Sequence, residues 1–248
     1  MATRAQVLEE LGIGPEWVRR DRPTATRASE PVDPRPVADT SPLALESGSD
    51  LDARAAAVLG MDWPALKACV ASCTACPLAP TRTQTVFGVG DEAADWLFVG
   101  EGPGAEEDQR GEPFVGQAGR LLDNMLAAVG LKRGDGVYIA NVVKCRPPGN
   151  RNPEPLETER CRPFLQRQVD LIRPKLIVAL GKVPATNLLG RDATIASLRG
   201  NLHEYRGIPL IVTYHPAYLL RNLHDKAKAW EDLCFARDTM AKLKAAAA

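Results

Sequence analysis

The chain has 248 residues, carries no formal net charge at pH 7 and is 45% apolar. This suits one substantial folded domain with an appendage, and the even charge balance excludes bulk basicity as a means of binding nucleic acid, so any cationic surface must be local. No stretch approaches the roughly 18 consecutive apolar residues of a membrane span, and the opening MATRAQVLEELGIG lacks an apolar signal core, so a cytoplasmic protein without a membrane role is expected.

In chain order, Val7, Leu8, Leu11, Ile13, Trp17 and Val18 recur at near-helical spacing around a Gly-x-Gly-Pro break. Residues 1–20 are therefore expected to form a short apolar helical segment, docked on a protein partner or on the chain's own domain. Residues 21–60 hold five prolines and no aromatic residue. Such a composition cannot bury enough surface to offset its ordering entropy, and it reads as a flexible linker. The folded domain is expected over 62–245. Apolar runs at 96–99, 137–143, 175–180 and 208–213 alternate with helical patterns at 117–129, 155–172, 182–189 and 225–244. Unbroken apolar strands separated by helices predict an α/β fold whose parallel, mainly four-stranded sheet is covered on both faces. Ligands of such sheets bind beyond the carboxyl ends of the strands.

Cys73 and Cys76 form C-x2-C, and Cys145 and Cys161 follow as C-x15-C. Four thiolates suit zinc or an iron-sulfur cluster; the wide second spacing favours the larger group without deciding, and unmetallated thiols are the third reading. Cys69 and Cys234 lie among apolar residues at helical spacing and read as core.

Three loops leave strand ends with chemistry in them. From Gly100 to Gly119 runs GEGPGAEEDQRGEPFVGQAG, with six glycines and five carboxylates. It lacks the lysine of a phosphate loop and would repel free phosphate, yet its backbone N–H groups could serve a neutral ligand, with Glu101 or Glu107 as acceptor or base. Glu106 and Asp108 suit the first turn of a helix. In YIANVVKCRPPGNRNP, Asn141 sits within an apolar strand, where its amide either satisfies backbone groups or reads a ligand. In YHPAYLLRN, His215 follows the last strand, and Leu219-Leu220-Arg221 makes either an ordinary turn with leucines in the core or an apolar wedge beside a cation.

Together the C-x2-C, the G-E-G-P-G-x-x-E-D-x2-G-x-P-F-V-G-x-A-G loop, N-x-V-K-C-R-P-P, the C-x15-C spacing and H-P-A-Y-L-L-R resemble the family 4 uracil-DNA glycosylases, the iron-sulfur type, from about Ala68 to the last helix. The resemblance implies a three-layer α/β/α sandwich and a 4Fe-4S cluster, mainly structural, on Cys73, Cys76, Cys145 and Cys161. It further implies a monomer that removes uracil from DNA in base excision repair by flipping the base out. Asn141 would then read uracil O4 and N3–H, Phe114 would stack on the base, and Glu107 would crowd the place of thymine's methyl. The backbone at Gly102 and Gly104 would approach the base, and His215 would face O2 as negative charge develops there. Leu219, Leu220 and Arg221 match the family's intercalating segment, with Arg146, Arg151 and Arg221 as phosphate contacts.

The chain departs from the commonest family, which places an aspartate two residues after the loop's first glycine. Gly102 stands there, so either Glu101 polarises the water, or backbone carbonyls suffice, or the chemistry relies on leaving-group stabilisation alone. Some related proteins bond covalently to DNA through a histidine in an insertion after the asparagine strand. Arg146 to Arg160 contains no histidine, so turnover is expected. Two competing readings are a non-enzymatic nucleic-acid accessory of a polymerase or repair complex and an iron-sulfur electron carrier with a flavin or nucleotide in the glycine loop.

Overall fold

The computed structural model describes residues 48–246, so residues 1–47, with the expected apolar segment and most of the linker, lie outside the described residues. The described chain runs α1 (Gly48–Leu59), α2 (Trp63–Ala71), β1 (Val89–Gly90), β2 (Trp96–Gly100), α3 (Ala105–Arg110), α4 (Gln117–Ala128) and β3 (Val137–Asn141). It continues through α5 (Pro155–Ile172), β4 (Leu176–Leu180), α6 (Lys182–Leu189), α7 (Ile195–Leu198), β5 (His203–Tyr205), β6 (Ile208–Thr213), α8 (Pro216–Arg221) and α9 (Lys226–Ala246).

The sheet has six strands in the order β1-β3-β2-β4-β6-β5. The four apolar runs form its centre, all parallel, while β1 and β5 pair antiparallel at the edges. The four central strands are the expected parallel ones, and two short antiparallel edge strands make the whole sheet mixed. Its edge strands span two and three residues, too short for an alternating pattern to show in the sequence.

Side chains alternate across the pleat. Leu97, Val99, Ala140, Ile177, Ala179 and Val212 pack into one core with α2 and α5, and Trp96, Phe98, Ile139, Val178 and Ile211 into another with α4 and α9. Two apolar layers on the buried centre of one sheet make the three-layer sandwich. The third strand stops at Asn141, although its apolar run continues. Val142 and Val143 bend away to donate backbone N–H groups to Gly100 O at 3.0 Å and Glu101 O at 3.1 Å.

The expected linker is also cut short by α1. This helix packs on α5, with Val58 buried and the Arg54 guanidinium 4.9 Å from the centre of the Phe164 ring. Its Ala-rich stretch next to a Pro-rich one is what hid it in the sequence. The strand connections put Gly100, Asn141, Gly181 and Tyr214 at the same edge of the sheet, at the carboxyl ends of β2, β3, β4 and β6.

Candidate active site

At that edge lies a cleft of about 440 Å3, within the range of small-molecule sites, a few hundred to about 1,000 Å3. Its walls include Glu101, Gly102, Gly104, Glu107 and Phe114 from the loop after β2, Asn141 from β3, and His215 with Arg221 from the segment after β6.

Asn141 is buried at 2% exposure, and its Oδ1 has no hydrogen-bond partner among the described residues. An unpaired buried acceptor costs roughly 1–3 kcal/mol, so this atom awaits a donor. Gly100, opposite it in register, is what leaves it room. A Cβ there would collide with Asn141 Oδ1 and come within 2.6 Å of the Phe114 ring.

Phe114 has a left-handed backbone, φ 55°, which is costly for an aromatic residue. It is held from behind. Arg133 donates to Pro113 O and Phe114 O, each at 2.8 Å, and pairs with Asp123 at 2.9 Å. Gly119, in α4, lets the Phe114 carbonyl approach where any Cβ would clash. The phenyl ring lies 5.5 Å from that of His215, tilted by 32°.

His215 caps α8. Its Nδ1 accepts from Ala217 N at 3.1 Å, which leaves Nε2 as the protonated nitrogen of a neutral ring. Burial pushes its pKa down from the ordinary 6.5 to about 4. The unfolded chain therefore takes up a proton below pH 6.5 that the fold refuses until about pH 4, so stability contributed here falls as pH drops through that window. His215→Asn, which keeps a capping side chain, should flatten the dependence of urea stability on pH between 6.5 and 4. Identical pH profiles for parent and variant would show that the ring is not held neutral.

The acidic loop divides its work. Glu101 is partly buried in the cleft wall, and burial raises its pKa. Glu107 lines the cleft too, but its carboxylate accepts from Gly104 N at 3.1 Å, Val115 N at 2.9 Å and Gly116 N at 3.0 Å, which closes the loop upon itself. Glu106 and Asp108 do occupy the first turn of α3. Asp108 is buried and accepts from Thr83 N at 2.9 Å. Gly102 and Gly104 admit Val143 and Glu107 at distances no Cβ would allow.

Two expectations on the DNA side are corrected. Leu219 is 1% exposed within the α4/α9 core, so it is no free wedge; Leu220 is partly exposed, while Tyr218 and Leu223 are the exposed neighbours. Arg151 is already committed, bonding both Glu157 oxygens at 2.8 and 2.6 Å and Glu154 at 3.3 Å. Arg146 bonds Asn150 Oδ1 at 2.7 Å beside the cleft, and Arg221 is exposed at its rim. Ion pairs with residues six apart, and a helix face set by tertiary packing, are not written in a local motif. Nor is Arg133, which reaches the Phe114 carbonyl from 19 residues away.

On the other side of β3, Cys73, Cys76, Cys145 and Cys161 line one small cavity with Lys144 and Phe164. Donors face the sulfurs: Arg54 Nη2 at 3.6 Å from Cys73, Arg82 Nη1 at 3.2 Å from Cys145 and Lys144 N at 3.3 Å from Cys161. As placed, no three His, Cys, Asp or Glu side chains among the described residues can hold a metal ion. The four thiols surround a space.

The uracil DNA glycosylase superfamily model matches residues 87–234. The chain is 48% identical over 159 residues to the type-4 uracil-DNA glycosylase of Archaeoglobus fulgidus, covering 61% of this chain and 79% of that one. Against the type-4 enzyme of Thermotoga maritima the identity is 49% over 155 residues, covering 62% and 80%. Against that of Pyrobaculum aerophilum it is 41% over 181 residues, covering 70% and 92%.

Proposed function

This chain belongs to the uracil DNA glycosylase superfamily and is a uracil-DNA glycosylase, and from that premise we propose how its cleft performs the reaction. The unpartnered Asn141 Oδ1 carries the reading. Uracil N3–H supplies the donor it lacks, and the Asn141 amide N–H meets uracil O4. Cytosine presents an unprotonated N3 and an amino group at those points, so it leaves like groups buried face to face. Phe114 stacks on the base, and the carboxylate of Glu107, held by three backbone N–H groups, forms the wall at C5.

The neutral His215 ring offers Nε2–H to uracil O2. As the C1′–N1 bond breaks, its electron pair leaves with the base, and this donor stabilises the charge that develops on O2. A water oxygen bonds to C1′ of the sugar cation, and its proton passes to Glu101, whose raised pKa suits a base. Leu220, with the exposed Tyr218 and Leu223, meets the duplex around the extruded nucleotide; Arg146 and Arg221 contact its phosphates.

The test is a uracil-containing oligonucleotide incubated with iron-replete protein and then cleaved with alkali. Breaks at uracil are expected, with single strands and U:G cut at least as fast as U:A, because an unpaired or mismatched base costs less to extrude. Intact strands would overturn the reading. A non-enzymatic accessory role is not favoured for this chain.

The donor chemistry of the thiol-lined cavity supports a 4Fe-4S cluster there, because four sulfurs around one space that accept charged and backbone donors suit a group with several irons. When bound, it would tie the segment after α2, the segment after β3 and α5 together. Cys145→Ala should lower iron and acid-labile sulfide per chain and bleach the visible absorbance. Unchanged iron would remove Cys145 from the ligand set.

A further inference from the structure

Lys144 lies three residues beyond Asn141 and directly before Cys145, and only 1% of its surface is exposed. A buried ammonium is expensive unless its three hydrogens are bonded and a negative charge is near. The Lys144 Nζ donates to the Asn141 carbonyl at 2.9 Å and to Gln168 Oε1 at 2.6 Å. Gln168 in turn donates through Nε2 to Phe87 O at 2.9 Å. No carboxylate pairs with Lys144 among the described residues. The sulfurs of Cys145 and Cys161 are its neighbours, and its backbone N–H points at Cys161.

The Asn141 carbonyl needs this donor. Along the edge of β3, β1 pairs only with Tyr138 and Ile139, and the chain before it next bonds this segment from Val86 N to Lys144 O at 2.7 Å, which leaves the Asn141 carbonyl without a backbone donor. The base-reading side chain thus hangs from a backbone that the ladder supports on one side only. A lysine reaching back three residues takes the place of the missing strand.

We propose that Lys144 is a positioning residue for uracil selection, fixing the Asn141 backbone against the cysteine-lined face of the sheet so that the amide presents Oδ1 to the base. The proposal rests on Asn141 as the residue that reads uracil. Lys144 touches no part of the substrate, and its effect passes through Asn141 alone. The same residue also lines the cysteine cavity, with its backbone N–H on Cys161, so one side chain borders both the cysteine centre and the base-reading strand.

The test compares iron-replete parent with Lys144→Met and Gln168→Met, each alone and combined with Asn141→Ala. Four quantities are read: iron per chain, visible absorbance, uracil excision, and the rise in melting temperature on adding free uracil. Each single variant should keep its iron and absorbance and lose roughly 10–100-fold in excision, as outer residues that orient a site commonly do. The protection by free uracil should shrink in parallel. In the Asn141→Ala background the same changes should cost less than about twofold, because two substitutions acting through one contact are not additive.

Additive losses, or parent-like uracil protection in both variants, would overturn the proposal. If Lys144→Met fails to fold or to hold iron, Gln168→Met decides by itself, since it leaves the lysine and all four cysteines in place. A parent that releases no uracil refutes the glycosylase mechanism above, whereas an active parent with an additive cycle refutes only the role of Lys144. Asn141→Ala excising like the parent would overturn both.

Discussion

Asn141→Ala lowers uracil excision by roughly 100- to 1,000-fold while the protein melts no earlier than the parent, the loss of two buried hydrogen bonds at about 1–3 kcal/mol each. The two halves of this expectation come from the same atom. In the ligand-free protein Oδ1 is buried without a partner, so its removal relieves a cost and leaves a small space that water or the Phe114 ring can share. In the proposed complex that atom would accept from uracil N3–H, so its removal should weaken the bound states. Function and stability therefore move in opposite directions, as they do where a site is built at the expense of the fold. Single-turnover excision and thermal melting on the same preparation, with visible absorbance as the check on the cysteine centre, measure both. A large fall in melting temperature would show that Asn141 is a structural residue, and undiminished excision would remove it from the pocket.

Gly100→Ala is the second large effect, and it reaches the pocket from the backbone. The added methyl would overlap Asn141 Oδ1 and press within 2.6 Å of two atoms of the Phe114 ring. Neither neighbour gives way easily. Asn141 is the last residue of β3 and pairs in register with Gly100 itself, while Phe114 is pinned by Arg133 on a left-handed backbone. Overpacking of this kind costs about 1–3 kcal/mol in stability. The displaced ring and amide should cost excision roughly 100-fold or more, because a shift of about 1 Å in positioning groups has that effect. Gly134→Ala is the control. It stands at φ 81° with nothing within 4 Å, so it pays only backbone strain and should excise uracil like the parent. Parent-like excision by Gly100→Ala would mean that the base does not lie between Phe114 and Asn141.

Much of this was legible in the residues themselves. Four unbroken apolar runs predicted the central strands and hence the edge of the sheet where the cleft opens. The spacing of the cysteines paired two distant parts of the chain that do line one cavity. Asn141, a polar residue in an apolar strand, and His215, at a strand's end, stood out by position, and the resemblance gave them roles. What stayed hidden was each interaction that needs the fold to exist first. Glu107 does line the cleft, but nothing local showed that three N–H groups of its own loop hold its carboxylate. Arg151 looked like a free cation and is closed by Glu157. Leu219 looked like a wedge, and the rotation of a six-residue helix turned it inward. Arg133 carried no signal, because what it holds beside the pocket are carbonyl oxygens, which every residue has, and its ion-pair partner Asp123 lies ten residues away.

The register that sets Gly100 against Asn141 has a consequence for how the protein comes into being. Each wall of the cleft is the end of a different parallel strand, so Gly100, Asn141 and His215 meet only after long crossovers have closed, and such pairings form slowly. On a ribosome, the asparagine emerges well before the histidine. The cleft is therefore incomplete until β6 joins β4, because only that last parallel pairing brings His215 to the edge where Gly100 and Asn141 already lie.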